Sequence, residues 1–286
     1  MRQEIIDLYD RYAHYGMERR ELLARLAEIA GGTAAAAALL ASLDTNYAKA
    51  EMVPANDSRL VAERVSMQGT AGDLRGYLAK PAGVTGPLPG VIVVHENRGL
   101  NPHIEDVARR VALQGFVALA PDFLSLLGGT PADPDRARDL IGQLDPARVV
   151  QAAQVAAQWL ERRDDTTDKI GIMGFCWGGG VVGRVATKVP EIDAAVVFYG
   201  RVPPLADVPG IKSPLLLHYA GLDTNINADV PAFEKALKDA GVRYQLHVYE
   251  GANHAFHNDT SEARYDPAVA KLAFERTIAF FKQHLA

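Results

Sequence analysis

The sequence predicts an α/β fold: a mostly parallel, doubly wound sheet flanked by helices and preceded by an N-terminal helical extension. Three observations predict it. From about residue 60 onward, apolar strand-like runs alternate with amphipathic helical patterns, as βα units do. The single cysteine sits in a glycine-framed turn between one such strand and one such helix. Two later strand-like runs each end in a loop that carries a titratable side chain, first an aspartate and then a histidine, on the sheet edge where open α/β folds collect their active sites.

Strands are expected near 61–68 and 74–80, then near 90–95, 116–120, 169–174, 193–198, 214–219 and 244–249. Helical patterns lie between the later strands, at Pro102 to Gln114, Pro146 to Glu161, Pro231 to Ala240 and Pro267 to His284. Each opens on proline, which a first helical turn tolerates because its N–H would be unpaired there. The Gly128-to-Pro134 stretch reads as a loop over the strand ends, where it can shape a pocket.

With 286 residues, 48% hydrophobic and 23% charged, the chain can bury one large α/β core over residues 59–286, with 1–58 as an appendage. A formal charge of −5 argues against nucleic acid or an acidic membrane surface as partner. One cysteine permits no internal disulfide, which is compatible with a reducing compartment.

The appendage has two readings. Arg19-Arg20, the glycines and alanines of 31–38, Leu39-Leu40 and Ala48-Lys49-Ala50 resemble a twin-arginine export signal with a small-residue cleavage site, which would send the protein to the periplasm. Against this, Glu4, Asp7, Asp10, Glu18, Glu21 and Glu28 cancel the arginines of residues 1–28, so the positive leader region is missing. Ile5, Ile6, Leu8, Tyr9, Tyr12 and Tyr15 can instead form an amphipathic face packed on the main body, giving a cytoplasmic protein with an integral helical extension. No run is long and apolar enough to span a bilayer as one helix.

The chemistry centres on Gly174-Phe175-Cys176-Trp177-Gly178-Gly179-Gly180, which follows the strand 169–174 and precedes a helix-like run from Val181. This is a nucleophile elbow with sulfur in place of the usual hydroxyl: small flanking residues let the next helix approach while the nucleophile is exposed on a strained turn. The start of that helix aims its amides and positive dipole end at the sulfur, favouring negative charge there. A base and its orienting acid are expected downstream, acid first. Asp223 follows the strand 214–219, and His254 follows the strand 244–249 within Glu250-Gly251-Ala252-Asn253-His254. His257 competes for the base position, but Gly251 and Ala252 favour the tight strand exit that presents His254. His218 and His247 fall inside strands and read as core or surface imidazoles; His14 and His103 have no evident partner, and no Cys or His pair has metal-ligand spacing.

The set Gly174 to Gly179, Asp223, Gly251-Ala252-Asn253-His254-Ala255-Phe256, Tyr199-Gly200 and His95-Glu96 resembles the dienelactone hydrolase family of α/β-hydrolases, over about residues 60–286. The resemblance implies that Cys176 attacks an ester or lactone carbonyl, that His254 moves the proton and that Asp223 orients the imidazole. It implies further that Glu96 pairs with the cysteine in the resting enzyme and gives way to substrate. A carboxylate that accepts the S–H would guard the sulfur against oxidation until then; a helix cap on the segment from Asn101 is the other role open to Glu96. The backbone N–H groups of Trp177 and Asn97 would form the oxyanion hole. Archetypal members bind a substrate carboxylate with two arginines at positions that here carry no arginine: Phe123 to Leu127 follow Pro121-Asp122, and Asn258 lies four residues past His254. Arg98 and Arg201, each beside a strand end, are candidate replacements, with Tyr199 and Asn258 also placed to touch substrate. The expected activity is a cofactor-free, metal-free hydrolysis of a small ester or lactone through an acyl-thiol intermediate. A thioesterase or amidase with the same triad, and a redox-sensitive binding protein on the same scaffold, are the alternatives.

Overall fold

A computed structural model of the chain describes residues 1–45, 51–69 and 72–286. Its centre is an eight-stranded sheet in the order β1-β2-β4-β3-β5-β6-β7-β8. The strands are β1 (Leu60–Met67), β2 (Leu74–Pro81), β3 (Leu88–Val94), β4 (Val117–Asp122), β5 (Thr166–Phe175), β6 (Ala194–Phe198), β7 (Leu215–Ala220) and β8 (Tyr244–Tyr249). β1 and β2 add antiparallel on one edge, and the rest run parallel. Every residue of β4, β6 and β7 is buried, as expected of parallel strands covered by helices on both faces; this is why they read as unbroken apolar runs.

The helices that cover the sheet start at legible signals. In α4 (Pro102–Ala112), α5 (Pro134–Ile141), α6 (Pro146–Glu161) and α10 (Pro267–His284), an Asn or Asp caps the first-turn amides and proline follows it: Asn101, Asp133, Asp145 and Asp266 each accept from backbone N–H groups one turn in. The remaining helices of this body are α7 (Trp177–Lys188), the short α8 (Thr224–Asn227) and α9 (Val230–Asp239). Two helices, α5 and the short α8, lie outside the sequence expectation. The Gly128-to-Pro134 loop does lie over the strand ends, but it leads into α5, whose Asp133-Pro134 start carries the same cap signal as its neighbours.

At the N-terminus, α1 (Gln3–His14), α2 (Arg19–Ala30) and α3 (Thr33–Leu43) enclose their own apolar cluster, with Ile5, Leu8, Tyr12, Leu22, Leu26 and Leu43 all buried. The amphipathic face expected of α1 is buried from Ile5 to Ala13, while Tyr15, at 37% exposure, lies outside it. Gly31 stops α2 in a left-handed conformation at φ 79°. Arg19-Arg20 opens α2, with Arg19 reaching Asp135 at 3.2 Å; the Ala48-Lys49-Ala50 triplet lies outside the described residues. Among the described residues no single helix is long and apolar enough to cross a membrane.

Candidate active site

Cys176 sits at the junction of β5 and α7 with φ 55° and ψ −116°, a backbone conformation that costs a non-glycine residue about 1–3 kcal/mol. The cost is met by tight packing that leaves the turn no alternative. A Cβ on Gly178 would come within 2.4 Å of the His95 carbonyl oxygen, and one on Gly174 within 2.4 Å of the Gly178 carbonyl oxygen. The first turn of α7 is thereby pressed against the end of β3. Cys176 N–H donates to Phe198 O at 3.0 Å, tying the elbow to β6 as well.

The acid and the imidazole arrive from the next two strand ends. Asp223 caps α8 with Oδ1, which accepts from Ile226 N at 3.2 Å, and points Oδ2 at His254 Nδ1, 2.5 Å away. The two loops are laced together by Gly221 N–H to Tyr249 O at 2.8 Å and Leu222 N–H to Ala252 O at 3.0 Å. Both side chains are buried. Burial by itself would pull the His254 pKa down; the Cys176 sulfur, once ionised, and the Asp223 carboxylate outweigh it and hold the imidazole well above the usual histidine range. His254 Nε2 is shielded from water and has no hydrogen-bond partner among the described residues. His257 is not an alternative, being buried against Phe175 with ring centroids 4.9 Å apart.

A third imidazole, unforeseen from the sequence, stands beside these two. His14, the last residue of α1, places Nδ1 3.6 Å from Cys176 Sγ, and its ring lies 4.5 Å from that of His254. Burial, with positive charge on His254, Arg264, Arg98 and Arg201 around it, holds His14 well below the usual histidine range. Donor atoms of His14, Cys176 and His254 all lie within 4.8 Å of one another, a thiol-and-imidazole set of the kind that suits a borderline divalent cation such as zinc. Sequence spacing could not reveal this trio, because it is drawn from three distant segments.

A cavity of about 330 Å³ opens over the sulfur, lined by Ala13, His14 and Tyr15 on one side and by Trp177, Tyr199 and Arg201 among others. Arg201 holds its guanidinium 5.1 Å above the Tyr15 ring. Tyr199 has φ 38°, and its buried hydroxyl lacks a partner among the described residues. Trp177 stacks on the His95 ring at 5.2 Å.

Glu96, Asn258 and Arg98 are engaged differently from the sequence expectation. Glu96 accepts from Asn258 Nδ2 at 2.6 Å instead of meeting the sulfur; the cap of α4 is Asn101, not Glu96. Arg98 donates to Pro134 O and Asp135, both at 2.7 Å, a buried commitment that draws it away from the main cavity. The Asn97 side chain reaches α1, donating to Ala13 O at 2.7 Å. His103, without an evident partner in the sequence, faces Asp259 at 2.9 Å.

The model of the dienelactone hydrolase family matches residues 74–285. The chain belongs to the dienelactone hydrolase family. Among curated relatives, an Escherichia coli O157:H7 protein named "Putative carboxymethylenebutenolidase" is 32% identical over 248 residues, covering 82% of this chain and 91% of its own. A Bradyrhizobium protein named "Probable 2-oxo-3-(5-oxofuran-2-ylidene)propanoate lactonase" is 35% identical over 236 residues, covering 76% and 92%. A crystal structure titled as a "Putative Dienelactone Hydrolase" from Klebsiella pneumoniae superposes with a TM-score of 0.73 at 30% identity, over 78% of this chain and 99% of that one. This dienelactone hydrolase family member is an α/β hydrolase whose helices α1–α3 precede the matched span.

Proposed function

We propose that the protein hydrolyses a small ester or lactone by covalent catalysis on Cys176, with His254 as proton carrier and Asp223 as the group that holds the imidazole. The observation that carries this reading is the buried 2.5 Å contact between Asp223 and His254, with the elbow sulfur in reach of that imidazole. The thiol proton passes to His254 Nε2 as sulfur adds to the carbonyl carbon; the resulting imidazolium is stabilised by the carboxylate on its other side. The oxyanion is met by the backbone N–H groups of Trp177 and Asn97, a pairing supported by the close approach of the first turn of α7 to the end of β3. Collapse expels the alkoxide or enolate, which takes the proton from His254. Water deprotonated by the same imidazole then releases the acid and restores the thiol.

The cavity favours a small acyl group flanked by an anion. Arg201 lines it, and stacking on Tyr15 keeps the guanidinium at its wall, so a substrate carboxylate has a cationic partner. Turnover of p-nitrophenyl acetate tests the mechanism: Cys176→Ala should abolish it, and His254→Ala should lower it by about a hundredfold or more. Unchanged turnover in Cys176→Ala would remove the mechanism outright.

A further inference from the structure

We propose that His14, carried into the site by the N-terminal extension, restrains the nucleophile: its neutral imidazole accepts the thiol's hydrogen and covers one side of the sulfur until substrate arrives. This rests on the reading of Cys176 as nucleophile and adds a residue that lies outside the family match of 74–285. The sulfur's hydrogen-bond contact is with His14 Nδ1, at 3.6 Å. The Asn97 amide fixes what that nitrogen can do. Asn97 Nδ2, a donor, gives one hydrogen to Ala13 O at 2.7 Å and lies 3.3 Å from His14 Nδ1, so Nδ1 presents its lone pair, which the amide and the thiol share, and the ring proton belongs on Nε2. A lone pair aimed at sulfur stabilises S–H and offers nothing to a thiolate.

The placement is anchored at several points. Tyr12 hydroxyl donates to Asp135 at 2.6 Å, Gln3 to Asn253 at 2.6 Å beside the catalytic histidine, and buried Arg264 grips Asp10 at 3.1 Å. These anchors hold α1 to α5 and to the loop after β8, the same segments that frame the site. When a carbonyl comes within the roughly 3–3.5 Å needed for attack, the hydrogen leaves His14's reach and goes to His254, which Asp223 prepares to take it.

The test is the rate at which iodoacetamide alkylates Cys176 in the full-length protein at neutral pH, followed by intact mass. His14→Ala should alkylate about tenfold faster, the size of effect that one lost hydrogen bond can give. His14→Gln, whose carbonyl can still accept S–H, should stay near wild type. Tyr12→Phe, which loosens α1 without touching the sulfur and spares the fold, should move in the direction of His14→Ala by a smaller factor. Rates at or below wild type in both His14→Ala and Tyr12→Phe overturn the proposal. Because alkylation reads the thiol directly, its outcome is separable from ester turnover: a chain that alkylates as expected but hydrolyses no ester fails the hydrolase reading alone.

Discussion

Replacing Asp223 by asparagine isolates the electrostatic part of the proposed mechanism. The side chain keeps its shape, and its Oδ1 can still cap Ile226 N, so α8 and the loop should survive. What is lost is the negative charge 2.5 Å from His254 Nδ1, between two buried side chains. A hydrogen bond to a charged group is worth about 1.5–3 kcal/mol, and breaking a buried pair costs about 3–5 kcal/mol. At about 1.4 kcal/mol per decade, a loss near 3 kcal/mol in the transition state lowers kcat/KM by about a hundredfold. An asparagine that turns its NH2 towards Nδ1 makes matters worse, because the ring proton is then forced onto Nε2 and the lone pair no longer faces the sulfur. The assay is steady-state hydrolysis of p-nitrophenyl acetate, with a thermal melt to establish that the variant folds. Asp223→Asn combined with His254→Ala should cost little more than His254→Ala alone, since the two act as a unit. A folded Asp223→Asn protein with kcat/KM within a few-fold of wild type would refute the reasoning.

Two further outcomes follow from the geometry. Gly178→Ala places a methyl 2.4 Å from the His95 carbonyl oxygen and 2.6 Å from that of Val94, so it should displace the first turn of α7, lower Tm and reduce kcat more than it changes KM; a variant with wild-type Tm and kcat would show that the elbow yields freely. The raised His254 pKa also makes a pH statement. A group whose folded pKa exceeds its unfolded value contributes stability in full below the unfolded value, about 6.5, and loses it as pH climbs through the folded one. The Tm advantage of wild type over His254→Gln should therefore be greatest near or below pH 6.5 and shrink towards alkaline pH; a constant difference across that range argues that the folded site leaves the imidazole unperturbed.

The order of strands, the elbow and the acid–imidazole pair were legible because each rests on local signals: unbroken apolar runs for β4, β6 and β7, glycines around Cys176, and short loops after β7 and β8. Asp133-Pro134 carried an equally local helix start, overlooked because the surrounding glycines and prolines dominate the composition there. Side-chain allegiance was harder. Arg98 and Glu96 both stand at the end of β3, yet one is taken by Asp135 and the other by Asn258, choices made by segments distant in the chain. His14 marks the limit of reading along the chain: 162 positions separate it from the sulfur it meets, and only the docking of α1 brings them together. The amphipathic pattern of α1 foretold that it would pack, but not on what.

That docking has a consequence for biosynthesis. Gln3 finds Asn253 across 250 positions and Asp10 finds Arg264 across 254, so α1 gains these two anchors only after the segment that follows β8 has been made. Closing so wide a ring is entropically slow rather than prohibitive, because the penalty grows only with the logarithm of its length. On the ribosome, then, the sulfur-bearing turn is completed while its cover has only Asn97 and Asp135 to fasten to. A nascent protein paused at that stage would hold its thiol under a cover still missing its later anchors.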